Sequence, residues 1–144
     1  KELTKEKIKN NWFDTGDLGF IDKDGFLFIK GRVDDCIIMS NGKKTFPEPI
    51  EKLITVIKNV EQIFVYGNNK PYIIALIYLK NKEKISKKIE EINKQLSKHE
   101  QIKKFVIIKE PFSVENGLLT HTLKLKRREI YEKYKELIES LYRK

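Results

Sequence analysis

The sequence predicts an α+β domain: a small three-stranded sheet covered by three helices, preceded by a β-hairpin. Three observations carry that prediction. Val60–Tyr66 and residues 72–79 are rich in β-branched and aromatic residues, and they flank the turn-forming Gly67-Asn68-Asn69-Lys70-Pro71; they read as an antiparallel pair. Apolar residues recur at helical spacing in three later segments: Ile50, Leu53, Ile54, Ile57; then Ile85, Ile89, Ile92, Leu96; then Ile130, Tyr134, Leu137, Ile138, Leu141. Ahead of them, Asp24-Gly25 separates two short apolar runs, a strong short-range hairpin signal.

Taken in order, residues 1–11 are polar, with Thr4 a candidate cap for a short helix over 5–9. Trp12-Phe13 leads into the turn cluster Asp14-Thr15-Gly16-Asp17. The runs 18–21 and 26–29 form the expected hairpin, which buries little alone and so calls for a neighbour. Gly31-Arg32-Val33-Asp34-Asp35 breaks the pattern and marks a junction; 36–39 then reads as a strand and Ser40-Asn41-Gly42-Lys43-Lys44 as a turn. A helix begins at Phe46-Pro47-Glu48-Pro49, since proline in a first turn loses no hydrogen bond, and Lys58-Asn59 closes it. The second helix spans 83–98, a third strand 105–108, an irregular loop with Asn116-Gly117 spans 111–122, and the last helix 129–142. A three-stranded sheet with three amphipathic helices is a sound layered arrangement. There are no internal repeats.

With 144 residues the chain is of single-domain length, and 40% hydrophobic with 35% charged residues fits a globular protein with a solvated surface. The formal net charge of +9 suits an anionic partner, but the lysines are spread along helices, which also suits a solvated face. The single cysteine, Cys36, rules out an intramolecular disulfide and fits a reducing compartment; its apolar surroundings suggest a structural thiol. No apolar stretch approaches the ~20 residues of a membrane span. The chain opens on Lys1 without an initiator methionine, which suggests an excised segment.

Several polar residues are left over from periodicity. Asp17 follows a glycine turn, and an ionised carboxylate there can accept two hydrogen bonds from a vicinal diol; an ordinary turn aspartate has the same sequence. Arg32 offers a planar fork to a phosphate or ribose edge, or a surface ion pair. Asp34-Asp35 is a like-charged pair at the junction, and no His or Cys at ligand spacing supports a metal site there. The stretch LLTHTLKLKRR (118–128) alternates apolar with polar or basic residues, as a nucleic-acid-binding run, a solvated face or a loop aiming one lysine at a phosphate would. His121 has no partner in that stretch. Neither a Gly-x-x-x-x-Gly-Lys loop nor a Gly-x-Gly-x-x-Gly turn nor a nucleophile elbow is present.

Together these pieces resemble the adenylate-forming superfamily of acyl-CoA synthetases, luciferases and peptide-synthetase adenylation domains. The string WFDTGDLGFIDKDGFLFIKGRVDDCIIMSNGKKTFPEPIE joins two of the family's core motifs in order, and VENGLLTHTLKLKRREI supplies the third. The C-terminal part is most similar to long-chain fatty acyl-CoA synthetases. It departs from shorter-chain members in having Thr122-Leu123-Lys124 in place of Thr-x-x-Gly-Lys-type spacing, and it has His121 where long-chain relatives commonly carry proline.

The resemblance implies that residues 1–33 end a large N-terminal AMP-binding domain and that 34–144 form a mobile C-terminal domain. It implies that Asp17 and Arg32 bind the ribose of ATP, and that Asp34 is the hinge. Lys124 would bridge the carboxylate substrate and the α-phosphate, with Lys126 as the competing assignment. The turn carrying Gly42, Lys43 and Lys44 would approach CoA after domain rotation. ATP, Mg2+ and CoA would serve the full-length enzyme, no metal or cofactor being expected tightly bound to this chain. Fatty acid, ATP and CoA would bind through a larger domain, and the chain alone would show no carboxylate-dependent ATP–pyrophosphate exchange. A cytoplasmic enzyme is expected, with peripheral membrane association and transfer to a carrier protein left open. The reading from another class is a basic nucleic-acid-binding module.

Overall fold

The computed structural model describes residues 2–143. The chain divides into two compact units, Lys1–Cys36 and Ile37–Lys144.

The first unit opens with α1 (Glu2–Lys7), followed by β1 (Ile8–Lys9) paired antiparallel with β2 (Trp12–Phe13). The helix expected over 5–9 therefore starts earlier and stops sooner, and Thr4 lies inside it rather than capping it. The cause is Asn10-Asn11, both at positive φ (51° and 65°), which close a two-residue hairpin and draw Ile8-Lys9 into a strand. The main hairpin pairs β3 (Asp17–Ile21) with β4 (Leu27–Arg32) as expected. Its turn is organised by Asp22, whose Oδ1 accepts the N–H groups of Asp24 and Phe26 at 2.9 and 2.9 Å. Among this unit's described residues only Gly16 and Gly31 are buried; Trp12, Phe13, Ile21, Phe26, Leu27 and Ile29 are exposed. The hairpin is thus formed by turn chemistry and strand pairing rather than by burial of its apolar side chains. A 3-10 turn, Val33–Asp35, follows β4.

The second unit begins with β5 (Ile37–Ile38) paired with β6 (Lys44–Thr45), so the strand expected over 36–39 is shorter and belongs to a tight hairpin. Cys36 is half-buried. Next come α2 (Pro47–Thr55), β7 (Val60–Tyr66), β8 (Ile73–Leu79), α3 (Ser86–Asn93), β9 (Ile102–Ile107) and α4 (Arg127–Tyr142). The sheet order is β7-β8-β9, with β7 antiparallel and β9 parallel to the central β8. A parallel neighbour needs a crossover, and α3 with its flanking segments supplies it. The helix expected over 83–98 ends at Asn93 because the Asn93 side chain turns to the next strand. Its Nδ2 donates to Ile102 O at 2.9 Å and its Oδ1 accepts Ile102 N–H at 2.9 Å. That pairing also starts β9 at Ile102 rather than at 105.

The three-layer arrangement follows from the run IIALIYL in β8. Both faces of that strand are covered, so it reads as continuously apolar. Ile73, Ala75 and Ile77 face α2 and α3 through Ile50, Ile54, Ile85 and Ile89. Ile74 and Leu76 face α4 and the long loop through Ile130, Ile138, Phe112, Leu118 and Leu119. Tyr134, Leu137 and Leu141 are only half-buried, at the edge of that second cluster.

The end of α4 is fastened by phenols. Tyr142 donates its O–H to Tyr72 O (3.1 Å), Tyr72 donates to Leu141 O (2.8 Å), and Tyr66 stacks on Tyr131 at 4.8 Å. Burial pushes the Tyr66 and Tyr142 phenols well above the ordinary value near 10, and neighbouring phenols and Glu139 add to the shift. A folded-state pKa above the unfolded one means that the folded protein holds its proton longer. Their contribution is complete below pH 10 and is lost as pH rises beyond it. An alkaline titration followed by tyrosinate absorbance should show these two rings ionising only as α4 detaches, in step with loss of helical circular dichroism.

Candidate functional site

Two groups of residues, in different units, present chemistry. In the first, Asp14 Oδ1 accepts Gly16 N–H (2.8 Å) and Thr15 Oγ1 accepts Asp17 N–H (3.2 Å), so short polar side chains fold the turn ahead of β3. Gly16 sits at φ +74°, where a side chain is strained. Register then places Asp17 opposite Arg32. Arg32 Nη1 donates to Asp17 Oδ1 at 3.1 Å and to the Thr15 carbonyl. The guanidinium lies over Gly16 so closely that a Cβ there would fall 2.9 Å from Nη2. The two side chains keep 47% and 36% of their surface in solvent. An ion pair that exposed adds little stability. What it does is hold a carboxylate and a planar donor fork side by side at the surface, facing any polyhydroxylated or phosphorylated ligand.

Asp34 is exposed in the Val33–Asp35 turn, next to the boundary between the units. In the second unit, the turn between β5 and β6 is built as expected: Gly42 has φ +82°, Gly42 N–H donates to Met39 O (2.9 Å) and Met39 N–H to Lys43 O (2.9 Å). Gly42, Lys43 and Lys44 are all exposed, and a Cβ on Gly42 would meet nothing within 4 Å.

The lysine loop is ordered. Leu119 and Leu125 form an antiparallel bridge. Thr120 N–H donates to Lys124 O (2.8 Å), Lys124 N–H to Thr120 Oγ1 (3.1 Å) and Lys126 N–H to Leu118 O (2.9 Å). Leu123 closes the turn at φ 62°, a conformation costly for a non-glycine residue. Leu125 and Lys126 are half-buried, and Lys124 is exposed. Lys126 is the residue before α4, and α4 opens on Arg127-Arg128. Cations are disfavoured at a helix start, where the backbone already carries positive partial charge. Arg127 is paired with Glu51, and Lys124, Lys126 and Arg128 remain around the helix start, a concentration of positive charge that attracts anions. His121 is exposed at the loop tip.

The sequence pattern did not single out Glu51. It is buried, accepts from Val65 N–H at 3.0 Å and holds Arg127 in a two-pronged ion pair. The available signal was its position: 47, 50, 51 and 54 form one helical face, so Glu51 is an acid among core residues. Among the described residues no three Asp, Glu, His or Cys side chains converge to hold a metal ion. No helix among them is long and apolar enough to cross a membrane.

Residues 34–144 match the family model of the AMP-binding enzyme C-terminal domain. The chain belongs to that family. All of it aligns with the long-chain-fatty-acid–CoA ligase FadD15 of Mycobacterium tuberculosis at 32% identity, covering 28% of that protein. At 30% identity, 96% of it aligns with 22% of the long-chain-fatty-acid–[acyl-carrier-protein] ligase AEE15 of Arabidopsis thaliana, a chloroplastic protein. Among solved structures, the adenylation domain of a carboxylate reductase from Mycobacterium chelonae superposes with a TM-score of 0.87 at 26% identity, over 98% of this chain and 25% of that one. The chain thus spans about a quarter of the length of the relatives it matches. The α+β architecture is that of this AMP-binding family, and a nucleic-acid-binding module is not favoured.

Proposed function

We propose that this chain is the C-terminal part of a long-chain fatty acid–CoA ligase, whose mobile domain serves two half-reactions in turn. Residues 1–33 would close the larger domain and 34–144 would move about Asp34. The observation that carries the reading is the basic loop before α4, ordered by its own hydrogen bonds and lying within the family-matched residues 34–144. In the first half-reaction a fatty-acid carboxylate oxygen attacks the α-phosphorus of ATP and pyrophosphate leaves. That step brings anions together, so a cation held ready at the reacting oxygens lowers the barrier. Lys124 takes this role, with Lys126, two residues on, as the alternative. Asp17 accepts from the ribose hydroxyls, and Arg32 orients Asp17 while reaching the same sugar. Mg2+ would arrive with ATP and neutralise charge on its phosphates, and no acidic cluster among this chain's described residues would hold it.

In the second half-reaction the CoA thiol attacks the carbonyl carbon of the acyl-adenylate and AMP leaves. The lysine has no part in that step, and the exposed Gly42-Lys43-Lys44 turn takes its place. Transfer to a carrier-protein thiol is the second reading, favoured by the name of the chloroplastic relative. Supplying the full-length enzyme with ATP, a fatty acid and either CoA or acyl carrier protein separates the two. Absence of carboxylate-dependent ATP–pyrophosphate exchange with every fatty acid would remove both.

Gly16 offers a check on the ribose side. Gly16→Ala puts a methyl group against Arg32 and strains a backbone at φ +74°. The expected result is a several-fold rise in KM for ATP, of the size that about 1 kcal/mol of strain and misplacement produces, with the fatty-acid KM unchanged.

A further inference from the structure

Glu51 is an acid on the core-facing side of α2, with 7% of its surface exposed. Both its oxygens are engaged by one guanidinium: Arg127 Nη1 lies 2.7 Å from Oε1 and Nη2 lies 2.8 Å from Oε2. Oε1 also accepts Val65 N–H at 3.0 Å. One carboxylate therefore ties together α2, β7 and the first residue of α4. The guanidinium is further confined by Phe64, whose ring centroid lies 6.0 Å from Cζ.

The arrangement is a poor choice for stability alone. Apolar residues of similar size often do as well as a buried ion pair, and an arginine at the first position of a helix opposes the helix dipole. What the pair does supply is geometry: a planar fork closed on a fixed carboxylate admits one register. Arg127 is adjacent to Lys126 and three residues past Lys124, with the backbone between them held to Leu118 and Thr120. Pairing also removes one of four neighbouring positive charges, leaving Lys124, Lys126 and Arg128 to face an incoming anion.

We infer that Glu51 is a positioning residue for the lysine loop: through Arg127 it fixes where α4 begins, and so the backbone that presents Lys124 and Lys126. Its consequence for catalysis rests on the adenylation reading above; its consequence for the loop does not. Glu51→Gln keeps the size and an acceptor for Val65 but removes the charge, and Arg127→Lys keeps the charge but loses the fork. Amide hydrogen exchange on the full chain is the first measurement. Both variants should exchange faster over 118–127, with Ile73–Leu79 unchanged; exchange unaltered in the loop, or raised equally in β8, overturns the inference. If Glu51→Gln does not fold, Arg127→Lys decides.

The second measurement is the split between half-reactions in the full-length enzyme. Adenylation should fall about tenfold or more in Glu51→Gln, as misplacement of a catalytic group implies. Thioester formation from supplied acyl-adenylate should stay near wild type. The Glu51→Gln, Arg127→Gln double variant should be no slower than either single one, since the two act as a unit. Equal loss in both half-reactions, or additive losses, overturns the inference. A wild-type enzyme without pyrophosphate exchange would instead remove the adenylation reading, and loop exchange would still decide the positioning claim.

Discussion

Lys124→Ala in the full-length enzyme is expected to lower fatty-acid-dependent ATP–pyrophosphate exchange by about 10²–10³-fold, the cost of removing one preorganised charge stabiliser. The same variant, given acyl-adenylate and CoA, should form thioester at close to the wild-type rate. The asymmetry arises because charge accumulates between carboxylate and phosphate only in the first step. The second step expels AMP from an already activated carbonyl. Lys126→Ala is the informative companion. Both lysines flank Leu125, but Lys124 is exposed in the Thr120 hairpin while Lys126 is half-buried and adjoins α4. If Lys126 is the bridging group, the two variants exchange phenotypes. If Lys124 is, Lys126→Ala should show the milder loss expected of a neighbouring cation.

The largest effect on stability is expected at Leu76. It is fully buried in the central strand and faces Ile130 and Ile138 of α4. Leu76→Ala removes transfer energy and leaves a cavity that a strand paired on both sides cannot close, a cost of about 2–5 kcal/mol. Thermal unfolding of the second unit should shift down by roughly 10 °C or more. Val56→Ala, at a side chain 78% exposed beyond the end of α2, is the control and should shift little. Because α4 and the lysine loop rest on the face that Leu76 fills, adenylation in Leu76→Ala should also fail at lower temperature than thioester formation.

How much of this was legible in the sequence depended on whether the governing interactions were local. The β3–β4 hairpin was legible because Asp22 and Gly25 build its turn from neighbouring residues. The pairing of β7 with β8 was legible because both strands are β-branched runs around a glycine-asparagine turn. The end of α3 was not: Asn93 leaves the helix for Ile102, a partner nine residues on that no periodicity reveals. The start of α4 at Arg127 was hidden for a similar reason. Two adjacent arginines argue against a helix start until Glu51, 76 residues earlier, is seen to hold one of them. Of the candidate site, Asp17 and Arg32 were named singly but not as partners, because they face each other only through a register shift between Leu18 and Gly19 that the turn residues do not reveal. The Gly42 turn was legible from its glycine. Glu51 was masked because a helix face of Pro47, Ile50 and Ile54 reads as core, and one acid on it reads as noise.

A single-turnover experiment that resolves the two steps is the most direct test: acyl-adenylate formation from ATP and a long-chain fatty acid, then thioester formation on adding CoA, in wild-type enzyme and in the Lys124→Ala and Lys126→Ala variants. The expected result is loss of the first step in one lysine variant with the second step intact. Equal loss of both steps in both variants would contradict the claim that this domain brings a lysine to one half-reaction and withdraws it for the other.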